Sequence, residues 1–95
     1  MITLLVNLKT ANQKDADDLR VILKDLTSST PKEKGCIEYR IYQESDNPLS
    51  FQILESWSSQ KDLEKHEKNL KDSGLLEKAA VLMVGGLKQR VIEKI

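Results

Sequence analysis

Histidine occurs once in this chain, at position 66, flanked by Leu63 and Leu70 at spacings of three and four residues. Those spacings place the three side chains on one stripe of a helix, and a leucine stripe turns toward a core rather than water. An imidazole held there is partly desolvated, which favours its neutral form, and a neutral imidazole can accept a proton. The same position also suits a packed core histidine satisfied by one hydrogen bond, so the sequence leaves both uses open. Three other residues could take part in chemistry. Asn7 interrupts an otherwise apolar stretch, as an orienting amide or as an outward residue on a strand edge. Tyr39 is either core or a phenol that donates to a ligand. Trp57 is either packing or one wall of a pocket, and it shares strand parity with Glu55. An inward Glu55 would need a partner such as Arg40 on the neighbouring strand, and an interface ion pair rather than a catalytic acid is expected. Cys36 is expected to be a small buried apolar residue.

The rest of the composition narrows the chemistry. Ninety-five residues make one domain, 1–95, with no room for a separate cofactor-binding half. One histidine and one cysteine are too few for a usual zinc site, so no metal is expected, and no disulfide can form within the chain. There is no Gly-x-Gly-x-x-Gly, no phosphate-binding loop and no Gly-x-Ser-x-Gly elbow. Lys plus Arg and Asp plus Glu both number 15, so the basic excess of a nucleic-acid binder is missing. The longest run of apolar residues and glycine, Ala79 to Leu87, is nine residues, against about 20 for a bilayer span. Met1-Ile2-Thr3 carries no basic n-region, so a cytoplasmic location is expected, with no membrane partner.

Hydrophobic periodicity supplies the elements that must position these residues. Residues 2–9 are too densely apolar for a strand with one wet face. Residues 13–28 switch to helical spacing at Ala16, Leu19, Ile22, Leu23 and Leu26, with Asn12 as N-cap and Pro31 just beyond the end. Residues 36–43 form a strand with Ile37, Tyr39 and Ile41 on one face and Cys36, Glu38, Arg40 and Tyr42 on the other. Residues 45–48 turn the chain into a third strand, 50–57, as an antiparallel hairpin. Ser59 to Asp62 reads as a capping-box variant opening a helix to about Lys71. A short helix across Leu75 to Ala80 and a last strand, 87–95, complete a βαββαβ order, the split arrangement of ferredoxin-like α+β folds.

Two helices and a short third can cover one face of a four-stranded sheet. Leu5 and Leu54 nevertheless put apolar side chains on the other face. The economical cover is a second copy about a two-fold axis, so an obligate homodimer with sheets face to face is expected.

The stretches Glu33 to Tyr39, Phe51 to Trp57 and Leu63 to His66 together resemble the antibiotic biosynthesis monooxygenase domain family, over nearly the whole chain. Its small members include quinol monooxygenase-like proteins. The resemblance implies a dimeric α+β barrel, a pocket between sheet and helices, and oxygenation of a small phenolic or quinol substrate with no metal, flavin or other cofactor. His66 would then act as base or as a hydrogen-bond donor to the phenolate, Asn7 and Tyr39 would orient substrate oxygens, and Trp57 would form a wall. Haem-degrading relatives use Asn, Trp and His; here Asn7 is kept, but His66 stands at the tryptophan position and Leu76 near the haem-ligating one, so haem degradation is not expected. Many relatives carry a second histidine one turn after the first, where this chain has Asn69 and Leu70. Alternatives are a non-catalytic small-molecule-binding dimer and an isomerase or processing enzyme for a small carbonyl signalling compound.

Overall fold

A computed structural model describes residues 1–95 and arranges them as β1 (Ile2–Lys9), α1 (Gln13–Ser29), a 3₁₀ turn (Thr30–Lys32), β2 (Cys36–Glu44), β3 (Asn47–Trp57), α2 (Gln60–Asp72), α3 (Leu75–Ala80) and β4 (Lys88–Ile92). The strands form one antiparallel sheet in the order β2-β3-β1-β4. This is the expected ferredoxin-like α+β topology. The sheet of one chain is open, with β2 and β4 at its edges, and does not close into a barrel.

Strand alternation sorts the side chains. Leu4, Val6 and Leu8 of β1 and Phe51, Ile53, Glu55 and Trp57 of β3 point toward the helices and are buried. Thr3, Leu5, Asn7, Leu54 and Gln52 point to the opposite face. On α1, Ala16, Leu19 and Leu23 pack down on the sheet, each leucine adding about 1.5–3 kcal/mol. Asn12 caps this helix by accepting the Asp15 backbone N–H at 2.9 Å. Pro31 lies in the first turn of the 3₁₀ segment, where a missing N–H costs nothing, and Glu33 then leaves helical geometry.

α2 starts at Ser59, whose hydroxyl accepts the Asp62 backbone N–H at 3.1 Å. The expected reciprocal contact takes another form: the Asp62 carboxylate accepts the hydroxyls of Ser58 and Ser59, which holds it below its usual range. Gly35 lies against this cap. Its φ of 85° suits glycine, and a Cβ there would stand 2.3 Å from Asp62 Oδ2. The Gly35 carbonyl accepts the Ser58 N–H at 2.8 Å, tying the start of β2 to the start of α2.

Three expectations require correction. A bulge between Cys36 and Glu38 expels Ile37, which is 56% exposed, so Cys36 rather than Ile37 shares the inner face with Tyr39 and Ile41. Asn47 and Pro48 begin β3 rather than belonging to the turn, which shrinks to Ser45-Asp46. The last strand spans Lys88–Ile92 instead of 87–95, and all of it is exposed, because no helix reaches over that edge.

Candidate active site

His66 sits at the centre of the inner layer. α2 presents Leu63 and His66 to the sheet, each only 3% exposed. The imidazole stacks on the Trp57 indole with ring centroids 4.6 Å apart and planes 29° apart. Tyr39 meets it edge-on at 5.9 Å and 67°. Its Nδ1 lies 2.9 Å from Glu33 Oε2, and Asn69 Nδ2 donates to the other Glu33 oxygen at 3.4 Å. A carboxylate only accepts, so Nδ1 carries hydrogen, and whenever the ring is neutral Nε2 is its acceptor. Nε2 has no protein partner, and the residue lines a cavity.

That cavity measures about 230 Å³ and lies between the sheet, α1, α2 and α3. Thirteen of its 17 lining residues are hydrophobic, and the polar four are Glu55, His66, Glu67 and Gln89. No lysine or arginine reaches it, so the lining holds no permanent positive charge for a bound anion. A 150 Å³ apolar cavity holds benzene, so this space suits a single substituted ring.

Glu55 departs from the expectation set for it. It points inward and is 6% exposed, while Arg40 lies on the opposite face bound to Glu38 at 3.0 Å. The partner of Glu55 is instead Trp57, whose Nε1 donates to Oε1 at 2.8 Å. Burial pushes the Glu55 carboxyl up, opposed by the indole hydrogen bond and by His66. Burial also pushes the Tyr39 phenol up, helped by the Glu55 charge, so Tyr39 stays a neutral O–H donor. The Thr30 hydroxyl offsets part of that shift, yet it is sealed from solvent without a partner in good hydrogen-bond geometry.

The residues marked out by the sequence are therefore only partly assembled. His66 and Tyr39 line the cavity, and Trp57, fully buried, backs the imidazole without lining it. Asn7 lies apart from them, which corrects its pairing with His66: its parity along β1 is opposite to Val6 and Leu8, so it faces away from the helices and accepts from Gln52 at 3.1 Å. One functional candidate was missed and another given the wrong partner. Glu33 is 33 residues from His66 in sequence, and no local pattern couples them. Glu55 was legible only as the parity partner of Trp57.

The fold and cavity define a small ferredoxin-like α+β domain with an apolar cavity beside a carboxylate-held histidine. Residues 1–71 match the family model for antibiotic biosynthesis monooxygenases, and the chain belongs to that family. No curated protein matches it. Among solved structures, it is similar to a protein of Deinococcus radiodurans provisionally named an antibiotic biosynthesis monooxygenase, with 23% identity and a TM-score of 0.85, covering 99% of this chain and 92% of that one. A Nitrosomonas europaea protein with the same provisional name gives 17% identity and a TM-score of 0.88 over 100% and 99%. An asparagine-to-alanine mutant of SnoaB, a cofactor-independent oxygenase from Streptomyces nogalater, gives 8% and 0.80 over 98% and 91%. At such identities these neighbours speak for the fold. The family match ends before α3 and β4, yet Leu75, Leu76, Ala79, Met83, Leu87 and Gln89 line the cavity. No helix is long and apolar enough to cross a membrane.

Proposed function

We propose that the protein is a cofactor-independent monooxygenase that oxidises a one-ring phenol or hydroquinone with dioxygen. The observation that carries this reading is the His66 imidazole, anchored at Nδ1 by Glu33 with Nε2 left free at an apolar, ring-sized cavity. A phenolate is electron-rich enough to pass an electron to dioxygen itself, so the protein has three tasks: to bind the ring, take its proton and exclude water. His66 takes the proton, Glu33 holds the ring of His66 in the accepting tautomer, and Tyr39 donates a hydrogen bond to a substrate oxygen. Trp57 fixes the plane of the imidazole from behind.

The absence of any lysine or arginine in the lining disfavours phosphorylated or carboxylated substrates, including an anionic carbonyl signalling compound. An isomerase acting on a neutral carbonyl compound would keep His66 as proton shuttle and run without dioxygen. Oxygen uptake with a panel of hydroquinones tests the proposal, with an anaerobic control. His66→Ala should lower the rate on the order of 10²-fold or more, the usual contribution of a positioned base. Equal rates for the two proteins would remove His66 from the mechanism, and turnover without dioxygen would favour the isomerase.

The proposal includes a homodimer in the cytoplasm. In support, the face away from the helices carries Leu54 and Leu5 side by side at its centre, flanked in the same row by Arg40 and Arg90. Half-buried leucines on a face that no helix covers are costly to leave wet. Sedimentation at micromolar concentration should give a dimer; a folded single subunit would refute it.

A further inference from the structure

We propose that Glu55 is the proton donor of the cavity, delivering its proton to the peroxide that dioxygen forms on the substrate ring. The proposal rests on the monooxygenase reading and adds to it a second proton-transfer group. Three geometric facts carry it. β3 turns Glu55 into the lining, on the same face as Trp57 and under α2. The indole occupies Oε1 at 2.8 Å, and no protein group is bonded to the other carboxyl oxygen. The titratable groups that face it are His66 and Glu67 from α2, Glu33 ahead of β2, and Cys36 and Tyr39 of β2. β1 presents Leu4 and β4 presents Val91 in the same row, neither of them titratable.

Besides the Trp57 indole N–H, His66 is the one group there that could offset a charge on Glu55, and its Nδ1 is already held by Glu33. A buried carboxylate held by a single indole hydrogen bond is costly, so the carboxyl holds its proton beyond the usual range, as its upward shift through burial also indicates. His66 and Glu55 then divide the labour that one hydroxylation requires, a base for the phenol and an acid for the peroxide.

The steps balance. His66 takes one phenolic proton from a hydroquinone. The phenolate passes an electron to dioxygen, and the radical pair closes a carbon–oxygen bond at the adjacent ring carbon. Glu55 protonates the distal oxygen of the resulting peroxide. The ring carbon then loses its hydrogen as a proton to the Glu55 carboxylate. The electron pair of that C–H bond becomes the new C=O bond as the O–O bond breaks, and the departing hydroxide takes the proton held on His66. Hydroquinone and dioxygen become hydroxyquinone and water, both side chains regain their starting states, and the substrate supplies all the electrons.

The test compares wild type with Glu55→Gln, an isostere of the protonated acid that can donate a hydrogen bond but not a proton. Binding is measured anaerobically by quenching of the single tryptophan with a hydroquinone, and turnover by oxygen uptake, hydroxyquinone formation and hydrogen peroxide release. Glu55→Gln should keep its Kd within about threefold, form hydroxyquinone at least tenfold more slowly and release peroxide in its place, since a positioned proton donor contributes about 10²–10⁴-fold. The alkaline fall of kcat in wild type, where Glu55 loses its proton, should be missing from the variant. A product ratio equal to wild type, or an unchanged alkaline limb, would overturn the proposal. Should Glu55→Gln fail to fold, Glu55→Asp, with its carboxyl drawn back from the cavity, should show the same diversion to peroxide. Infrared spectra of the wild type with no substrate provide an independent arm. The carbonyl band of a protonated carboxyl should be present at neutral pH and absent in the variant; if wild type lacks it, Glu55 holds no proton to give. Should the band be present while no hydroquinone consumes oxygen, the monooxygenase reading fails while Glu55 stands as the group that carries the proton.

Discussion

Replacing Trp57 by phenylalanine tests how the inner layer is held together. Trp57 is 0% exposed, stacks on His66, and supplies the one hydrogen bond to Glu55 Oε1. Phenylalanine keeps an aromatic ring but removes the pyrrole half of the indole. At about 0.8 kcal/mol per buried carbon, that loss and the partly refilled space cost about 2 kcal/mol. The orphaned Glu55 oxygen adds about 1–3 kcal/mol. The expected total is about 3–5 kcal/mol, a large share of the roughly 5–15 kcal/mol that a native domain commonly has. Urea unfolding at neutral pH measures it, through a lower midpoint with an unchanged m-value. In a Glu55→Leu background the acceptor is gone, and the same substitution should cost only the packing part, about 2 kcal/mol. A loss below about 1 kcal/mol, or equal losses in the two backgrounds, would refute the coupling of Trp57 to Glu55.

Three further outcomes are expected. Leu63→Ala should cost about 2–5 kcal/mol in chemical denaturation, and a loss below about 1 kcal/mol would show that α2 does not bury this face. Gly35→Ala should cost at least about 1–2 kcal/mol from its left-handed backbone, with more from the Asp62 contact; unfolding at the wild-type midpoint would contradict the crowded cap. Because burial raises the Glu55 carboxyl above its ordinary value of 4.5, the folded chain keeps a proton that the unfolded chain loses. That contribution to stability is complete below pH 4.5 and lost as pH rises through the folded value, so Glu55→Gln should flatten the decline across this window; an unchanged slope in thermal melts would exclude it.

Much of the inner layer was legible because it obeys periodicity. Leu63 and His66 declare their burial by helical spacing, and Phe51, Ile53, Glu55 and Trp57 declare theirs by strand parity. Ile37 was misassigned for the same reason: one bulged residue inverts the parity before it, and no signal in Gly35-Cys36-Ile37 announces the bulge. Asn7 shows the limit from the other side. Its residue type suggested chemistry, while its parity relative to Val6 and Leu8 already pointed it away from the helices.

What the chain determines by itself is the set of elements, their order and the faces they bury, since these follow from local spacing and the cost of wetting apolar surface. What tertiary structure alone decided is which polar groups meet. The carboxylate of Glu33 reaches His66 across 33 intervening steps of sequence, Glu55 turns from Arg40 to the Trp57 indole, and residues from α3 to β4 close the cavity wall. Those pairings depend on how a helix lies over a twisted sheet, a relation between distant segments that no local pattern encodes.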